Sequence, residues 1–157
     1  MSKKLVVFFS ATGTTAAKAK ALADAAGLDE YEIKPVVPYT KSDLNYLNPF
    51  SRTTKEMKLG GKHPEIITGD IDVSQYDVIF IGYPVWWYIA PTVINSFLEA
   101  YDFTDKKIVL FATSGGSGFG KSVAKLQPSA PDAKIVEGFM LNGDFSDAQL
   151  KEFTEKY

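Results

Sequence analysis

The sequence predicts a three-layer α/β sandwich, a parallel sheet with helices on both faces. Three observations carry that expectation. Largely apolar runs recur at residues 5–9, 77–84 and 107–113, and such runs suit strands buried on both faces. Stretches with helix signals alternate with them, giving a strand–helix order repeated about five times. The chain has 157 residues, a length that fits one domain, 1–157, with a buried core.

The elements follow in order. Residues 5–9 form the first strand, bounded by lysines before and by Ser, Thr and Gly after. Thr14–Ala26 reads as an alanine-rich helix with Ala17, Ala21, Leu22 and Ala25 on one face, and Gly27 stops it. Residues 31–35 make a short second strand. Residues 36–75 carry Pro38, Pro49, Gly60, Gly61 and Pro64 and no sustained period, with a short helix expected within 51–58. An irregular insert of that length is functional or wrapped on the surface. Residues 77–84 restore the pattern as a buried strand. Pro91 opens a helix whose Ile94, Phe97, Leu98 and Tyr101 stand at helical spacing. Lys107–Thr113 is the next strand, a short helix runs to Gln127, and Lys134–Met140 is the last strand. Ser146 and Gln149 form a capping box, and Leu150, Phe153 and Tyr157 give the final helix its apolar face.

Composition narrows the function classes. Hydrophobic residues make up 45% and charged residues 23%, and the net charge is −2, so no basic excess points to nucleic acid. Cysteine is absent and histidine occurs once, which removes thiolate chemistry and makes a zinc site a poor fit. His63, in Gly60-Gly61-Lys62-His63-Pro64, reads as a solvated loop residue. No apolar stretch reaches the roughly 20 residues a membrane span needs, and the apolar start leads into Ser10-Ala11-Thr12-Gly13-Thr14-Thr15 rather than a cleavage site. The expectation is a cytoplasmic protein with no membrane insertion.

Sheets of this kind bind ligands beyond the carboxyl ends of their strands, so three loops on that edge matter. Ser10, Ala11, Thr12, Gly13, Thr14 and Thr15 join the first strand to its helix. Their hydroxyls and glycine suit a phosphate at a helix N-terminus. The loop holds no lysine or arginine, so hydrogen bonds would retain the anion; the same residues also suit an ordinary helix cap. Pro84, Val85, Trp86, Trp87 and Tyr88 follow the third strand and contain both tryptophans of the chain. Such a loop suits stacking on a planar aromatic ligand, with one tryptophan facing it and the other packed inward. Thr113, Ser114, Gly115, Gly116, Ser117 and Gly118 follow the fourth strand, and their glycines let backbone approach a heterocycle closely.

Two other chemistries are weighed and set aside. Gly115, Gly120, Lys121 and Ser122 match the spacing of a nucleotide-triphosphate P-loop. That core needs a further strand ending in aspartate for magnesium, and Lys134–Met140 does not end in one. A phosphoacceptor receiver needs acidic residues after the first and third strands, where Phe9-Ser10 and Tyr83-Pro84 stand.

Taken together, the three loops resemble those of the flavodoxin family, from Lys4 to Gly143. Ser10-Ala11-Thr12-Gly13-Thr14-Thr15 is similar to its phosphate loop. Tyr83-Pro84-Val85-Trp86-Trp87 and Thr113-Ser114-Gly115-Gly116 are similar to its two flavin-flanking loops, closest to a bacterial branch with Gly-Tyr-Pro-x-Trp-Trp. The resemblance implies a five-stranded sheet of order 2-1-3-4-5, bound FMN, and redox partner proteins such as a flavodoxin or ferredoxin reductase, with the chain acting as a monomer. It implies that Ser10, Thr12, Gly13, Thr14 and Thr15 hold the phosphate, that Trp86 stacks on the isoalloxazine, and that backbone at 114–116 meets its pyrimidine edge. Two departures stand out. The chain is less acidic than many flavodoxins, and its second loop lacks the glycine or asparagine beside the flavin. An electron carrier of low potential is the leading expectation, because an apolar, lysine-free ring pocket disfavours an anionic reduced ring. The alternatives are an FMN-dependent NAD(P)H, quinone or nitro reductase, with residues 36–74 as a lid, and a partner-binding module without flavin. No side chain stands out as a catalytic acid or base; Tyr39 and Tyr88 are expected only as pocket walls.

Overall fold

The computed structural model describes residues 3–45, 47–58 and 63–157. The expected turn at Gly60, Gly61 and Lys62 lies outside them. Five strands, β1 (Lys4–Phe8), β2 (Asp29–Glu32), β3 (Val78–Pro84), β4 (Lys107–Thr113) and β5 (Lys134–Met140), form one sheet in the order β2-β1-β3-β4-β5. Every pairing is parallel. The connections carry α1 (Thr14–Ala26), α2 (Arg52–Lys58), α3 (Thr92–Ala100), α4 (Ser122–Leu126) and, after β5, α5 (Asp147–Glu155). Among the described residues no helix is long and apolar enough to cross a membrane.

The apolar runs explain the sheet. Successive side chains of a strand point to opposite faces, and here both faces are covered. Leu5, Val7, Ile79, Ile81, Ile108 and Leu110 pack with α3 residues Ile94, Phe97 and Leu98. Val6, Phe8, Phe80, Val109 and Phe111 pack with Ala19, Leu22 and Ala23 of α1 and Leu150 of α5. Burying each large apolar side chain contributes about 1.5–3 kcal/mol, so the three central strands anchor the fold. The capping box is formed: Ser146 Oγ accepts from Gln149 N at 3.2 Å, and Gln149 Oε1 accepts from Ser146 N at 2.9 Å.

Two expectations need correction. The second strand runs Asp29–Glu32, not 31–35. It is an edge strand with Asp29, Glu30 and Glu32 exposed, so half-buried Tyr31 leaves little apolar signal. Beyond it, Ile33 N donates to Phe8 O (2.7 Å) and Pro35 bridges Ile66 in antiparallel fashion. The other is the face of α1: Ala17 and Ala21 are exposed, and the helix buries Thr15, Ala19, Leu22 and Ala23, because its inward side is set by the sheet it covers rather than by the alanines alone. His63 is a partly exposed loop residue, as expected, and it also has a partner. Its Nδ1 lies 2.9 Å from Glu99 Oε1 on α3, and Ser96 Oγ donates to Pro64 O at 2.5 Å. The histidine therefore helps fasten the end of the insert to α3. On the opposite edge of the sheet, the β4–β5 register slips between Leu110 and Phe111, a β-bulge.

The insert folds around one arginine. Arg52 pairs with Glu56 at 3.0 Å, donates to the carbonyls of Val37 (2.6 Å) and Pro38 (3.3 Å), and lies 3.9 Å from the centre of the Tyr39 ring. Tyr39 Oη donates to Glu56 Oε1 at 2.5 Å. Burial, then the Glu56 carboxylate, pushes the Tyr39 phenol well above its ordinary range.

Candidate functional site

The phosphate-type loop comes first. Gly13 is the N-cap of α1 with φ +97, a left-handed conformation that favours glycine. Among the described residues no side chain caps the helix. Ser10 Oγ accepts from Gly13 N at 3.0 Å, so that hydroxyl shapes the loop rather than the helix. The first-turn N–H groups of a helix have no intrahelical acceptor, and a helix end left in that state suits an anion. The ordinary cap is therefore not what these residues build. Ala11, Thr12, Thr14 and Thr15 line a groove of about 320 Å³ with Pro84, Thr113 and Ser114. Thr12 and Thr14 are exposed, whereas Thr15 is buried, with its Oγ1 2.8 Å from Thr113 Oγ1. That contact ties the first loop to the third.

A second cleft, of about 600 Å³, opens beside the groove and shares Val85, Trp86 and Gly115 with it. Its walls are the aromatic loop, backbone at Gly115, Gly116 and Ser117, and Leu44 and Thr53 from the insert. Among the described residues no charged side chain lines it. Trp86 also packs inward, edge-on to Phe9 (centroids 5.7 Å) and Tyr39 (5.5 Å). Trp87 lines the cleft, and Tyr88, 72% exposed, stands at its rim. Ser10, Gly13 and Gly118 line neither space. Tyr39 backs Trp86 rather than walling the cleft.

The aromatic loop is a tight hairpin. Trp86 N donates to Ile89 O at 3.0 Å and Ile89 N to Trp86 O at 3.1 Å. Between them Trp87 (φ 49) and Tyr88 (φ 65) both adopt positive φ, as a type I′ turn requires. Asparagine and glycine usually fill such positions, and each bulky residue there costs roughly 1–2 kcal/mol. Neighbours hold the turn in place. Lys121 N donates to Tyr88 O at 3.3 Å. Gly120 (φ +56) abuts that carbonyl so closely that a Cβ would sit 1.9 Å from the oxygen. Ser122 Oγ donates to Phe119 O at 2.7 Å. The P-loop look-alike Gly120-Lys121-Ser122 thus braces the aromatic turn.

The third loop is organised from β5. Asn142 Oδ1 accepts from Ser114 N at 2.7 Å, and its Nδ2 donates to Ser114 Oγ at 3.2 Å. Ser114 Oγ in turn donates to Ser117 O (2.5 Å) and accepts from Gly116 N (3.2 Å). The N–H groups of Gly115 and Ser117 find no acceptor among the described residues. Both residues line the cleft.

Four residues were beyond the sequence reading. Lys18 lines the groove beside the first loop and donates its ammonium to Gly143 O. Its position four residues after Thr14, on the same helix face, was a usable signal. Asn142 lies on a separate loop, and Leu44 and Thr53 lie in the irregular insert, where no period marks them. A buried tyrosine adjoins the site: Tyr83 Oη has no hydrogen-bond partner among the described residues, and burial pushes its phenol up.

Fold and clefts together define a doubly wound α/β protein with a threonine-lined groove beside the α1 N-terminus and an aromatic cleft joined at the carboxyl edge of its sheet. Residues 3–157 match the family model described as Flavodoxin, and the chain belongs to the flavodoxin family. Two solved structures provisionally called flavoproteins are similar over nearly the whole length. The one from Bacteroides eggerthii is 42% identical, with a TM-score of 0.90 over 99% of this chain and 98% of that one. The one from Bacteroides uniformis is 39% identical, with a TM-score of 0.88 over 98% of each. A flavoprotein from Lactobacillus acidophilus, solved in complex with FMN, shares the fold at 20% identity, with a TM-score of 0.71 over 98% of this chain and 99% of that one. No curated protein sequence matches the chain.

Proposed function

We propose that the protein binds FMN and serves as a low-potential electron carrier in the cytoplasm, exchanging electrons with redox partner proteins. The observation that carries this reading is the union of the two spaces. An uncapped helix N-terminus with Thr12 and Thr14 suits a phosphate, and a charge-free aromatic cleft next to it suits a flat ring. The residues fit the group at both ends. Thr12, Thr14 and the first-turn N–H groups would hold the phosphate, with Lys18 supplying the nearby cation. Trp86 or Trp87 would cover the ring, and the N–H groups of Gly115 and Ser117 would meet its acceptor edge. When bound, FMN supplies one- and two-electron chemistry. The chain's own residues orient it, exclude water from one face and set its electrostatics. Since the cleft offers no cationic side chain, it disfavours negative charge on the reduced ring.

The visible spectrum of the purified protein tests this. A flavin band that is retained on gel filtration, with extracted FMN, is the expected outcome; a colourless protein that takes up no FMN would point to the flavin-free binding module. The second-electron potential should lie below that of free FMN in a redox titration. A second reading, an FMN-dependent NAD(P)H, quinone or nitro reductase, draws on Leu44 and Thr53, which extend the insert over the cleft. Turnover of NADPH without an added flavodoxin reductase would favour it.

A further inference from the structure

Behind the cleft the insert lines up an indole, a phenol and a carboxylate. Trp86 lines both the cleft and the groove beside α1, so it borders whatever is held there. Tyr39 meets it edge-on with ring centres 5.5 Å apart, and Phe9 touches both rings. Tyr39 also lines a separate groove of about 330 Å³, with Pro35, Val36, Pro38 and Ile67. Its hydroxyl donates to Glu56 Oε1 at 2.5 Å, at the short end of the range for a hydroxyl on a carboxylate. The Glu56 side chain is 14% exposed, and its other oxygen accepts from Arg52 Nε at 3.0 Å. Tyr76 makes a similar bond, from Oη to Asp29 Oδ2 at 2.8 Å. Among the described residues, however, tryptophan ring contacts run only to Phe9 and Tyr39.

We propose that Tyr39 is a proton-coupled electron donor to Trp86, with Glu56 as the base. An oxidant in the cleft that takes one electron from Trp86 leaves an indole radical cation. Tyr39 then gives one electron to that indole and its phenolic proton to Glu56 Oε1. The indole is restored, and a neutral tyrosyl radical faces a neutral carboxyl group. Under the FMN reading the oxidant is photoexcited oxidised flavin, but the relay needs only a one-electron oxidant at the indole. Arg52 makes the electron and proton leave together. Its guanidinium lies 3.9 Å from the centre of the Tyr39 ring, so a positive charge on that ring would be repelled at close range in a poorly solvated site. Loss of the proton avoids that charge. Once Glu56 is neutral, Arg52 still has the carbonyls of Val37 and Pro38 as acceptors. A small reductant of the ascorbate class, reaching Tyr39 from its own groove, returns the electron, and Glu56 returns the proton. The relay so spares the cleft wall from lasting oxidation.

Pulse radiolysis in azide solution tests this, because the azidyl radical oxidises tryptophan in preference to tyrosine. The purified full chain is used with or without flavin, so failure of the FMN reading leaves the outcome untouched. Trp87→Phe makes Trp86 the only tryptophan. In that background the tryptophan radical should decay into a tyrosyl radical, followed by transient absorption and electron paramagnetic resonance, and at least twofold more slowly in heavy water. Tyr39→Phe should lengthen the tryptophan-radical lifetime at least tenfold. So should Glu56→Gln, which still accepts a hydrogen bond but takes up no proton. Tyr76→Phe should leave the lifetime unchanged. Equal lifetimes with and without the Tyr39 hydroxyl would overturn the inference. A decay indifferent to heavy water and to Glu56→Gln would do the same, as would a Tyr76→Phe effect as large as that of Tyr39→Phe.

Discussion

The β1–α1 loop and the β3–α3 hairpin sit at the same edge of the sheet and are built in opposite ways. The first puts glycine where φ must be positive and leaves its backbone donors open. The second puts tryptophan and tyrosine where φ must be positive and restrains them from outside. An anion needs donors in a fixed arc, which a short local segment can provide. A flat ring needs broad aromatic walls, and the backbone conformation that aims them costs free energy that packing elsewhere must offset.

The largest test of that contrast is Gly120→Ala. Its new Cβ would fall 1.9 Å from Tyr88 O, at a backbone position already left-handed. Overpacking and left-handed strain together should cost about 2–4 kcal/mol in denaturant unfolding. The aromatic turn should also lose its brace, so FMN affinity should fall alongside stability. A variant as stable as the parent would mean that the hairpin holds itself.

Paired substitutions at the two turns should then move stability in opposite directions. Gly13→Ala forces alanine into φ +97 with no clash around it, and should destabilise by about 1 kcal/mol. It should weaken FMN more than riboflavin, which has no phosphate. Tyr88→Gly relieves a strained φ but frees the unfolded chain, so a net gain of about 0.5–1 kcal/mol is expected. Thermal unfolding of both variants, with flavin titrations, checks the signs.

The effect least tied to the two turns concerns the residue behind Trp86. Tyr39 is held above its ordinary range chiefly by burial. A raised folded-state value contributes stability that is complete below the unfolded value, about 10, and is lost as pH climbs above it. Tyr39→Phe should therefore flatten the decline in stability above about pH 10 while giving up the hydrogen bond to Glu56, a loss of about 1 kcal/mol at neutral pH.

Local signals account for what could be read in advance. The strands β1, β3 and β4 announce themselves because both faces of each are buried. The Gly13 loop and the Ser146 box are contiguous, and their residues act on their own backbone. β2 carries little apolar signal because only Tyr31 among its four residues is half-buried. The ring end was legible as an aromatic cluster but not as a construction. Tyr88 depends on Gly120, Ser114 on Asn142, and the outer wall on Arg52, each a contact between segments with no shared pattern. Gly120-Lys121-Ser122 shows the same limit from the other side: a spacing that suggests phosphate chemistry serves to hold a neighbouring turn.

The two rims of the sheet bear on how such a molecule behaves in company. β2 turns Asp29, Glu30 and Glu32 outward, and β5 carries Lys134 at its start and an irregular register midway. Unpaired strand rims invite a further strand from another chain, and charge or a bulge discourages it. A protein whose middle strands are as apolar as these gains protection against fibrous self-association where it is most open to it. That protection comes from the backbone and its charged margins, and it depends on no ligand.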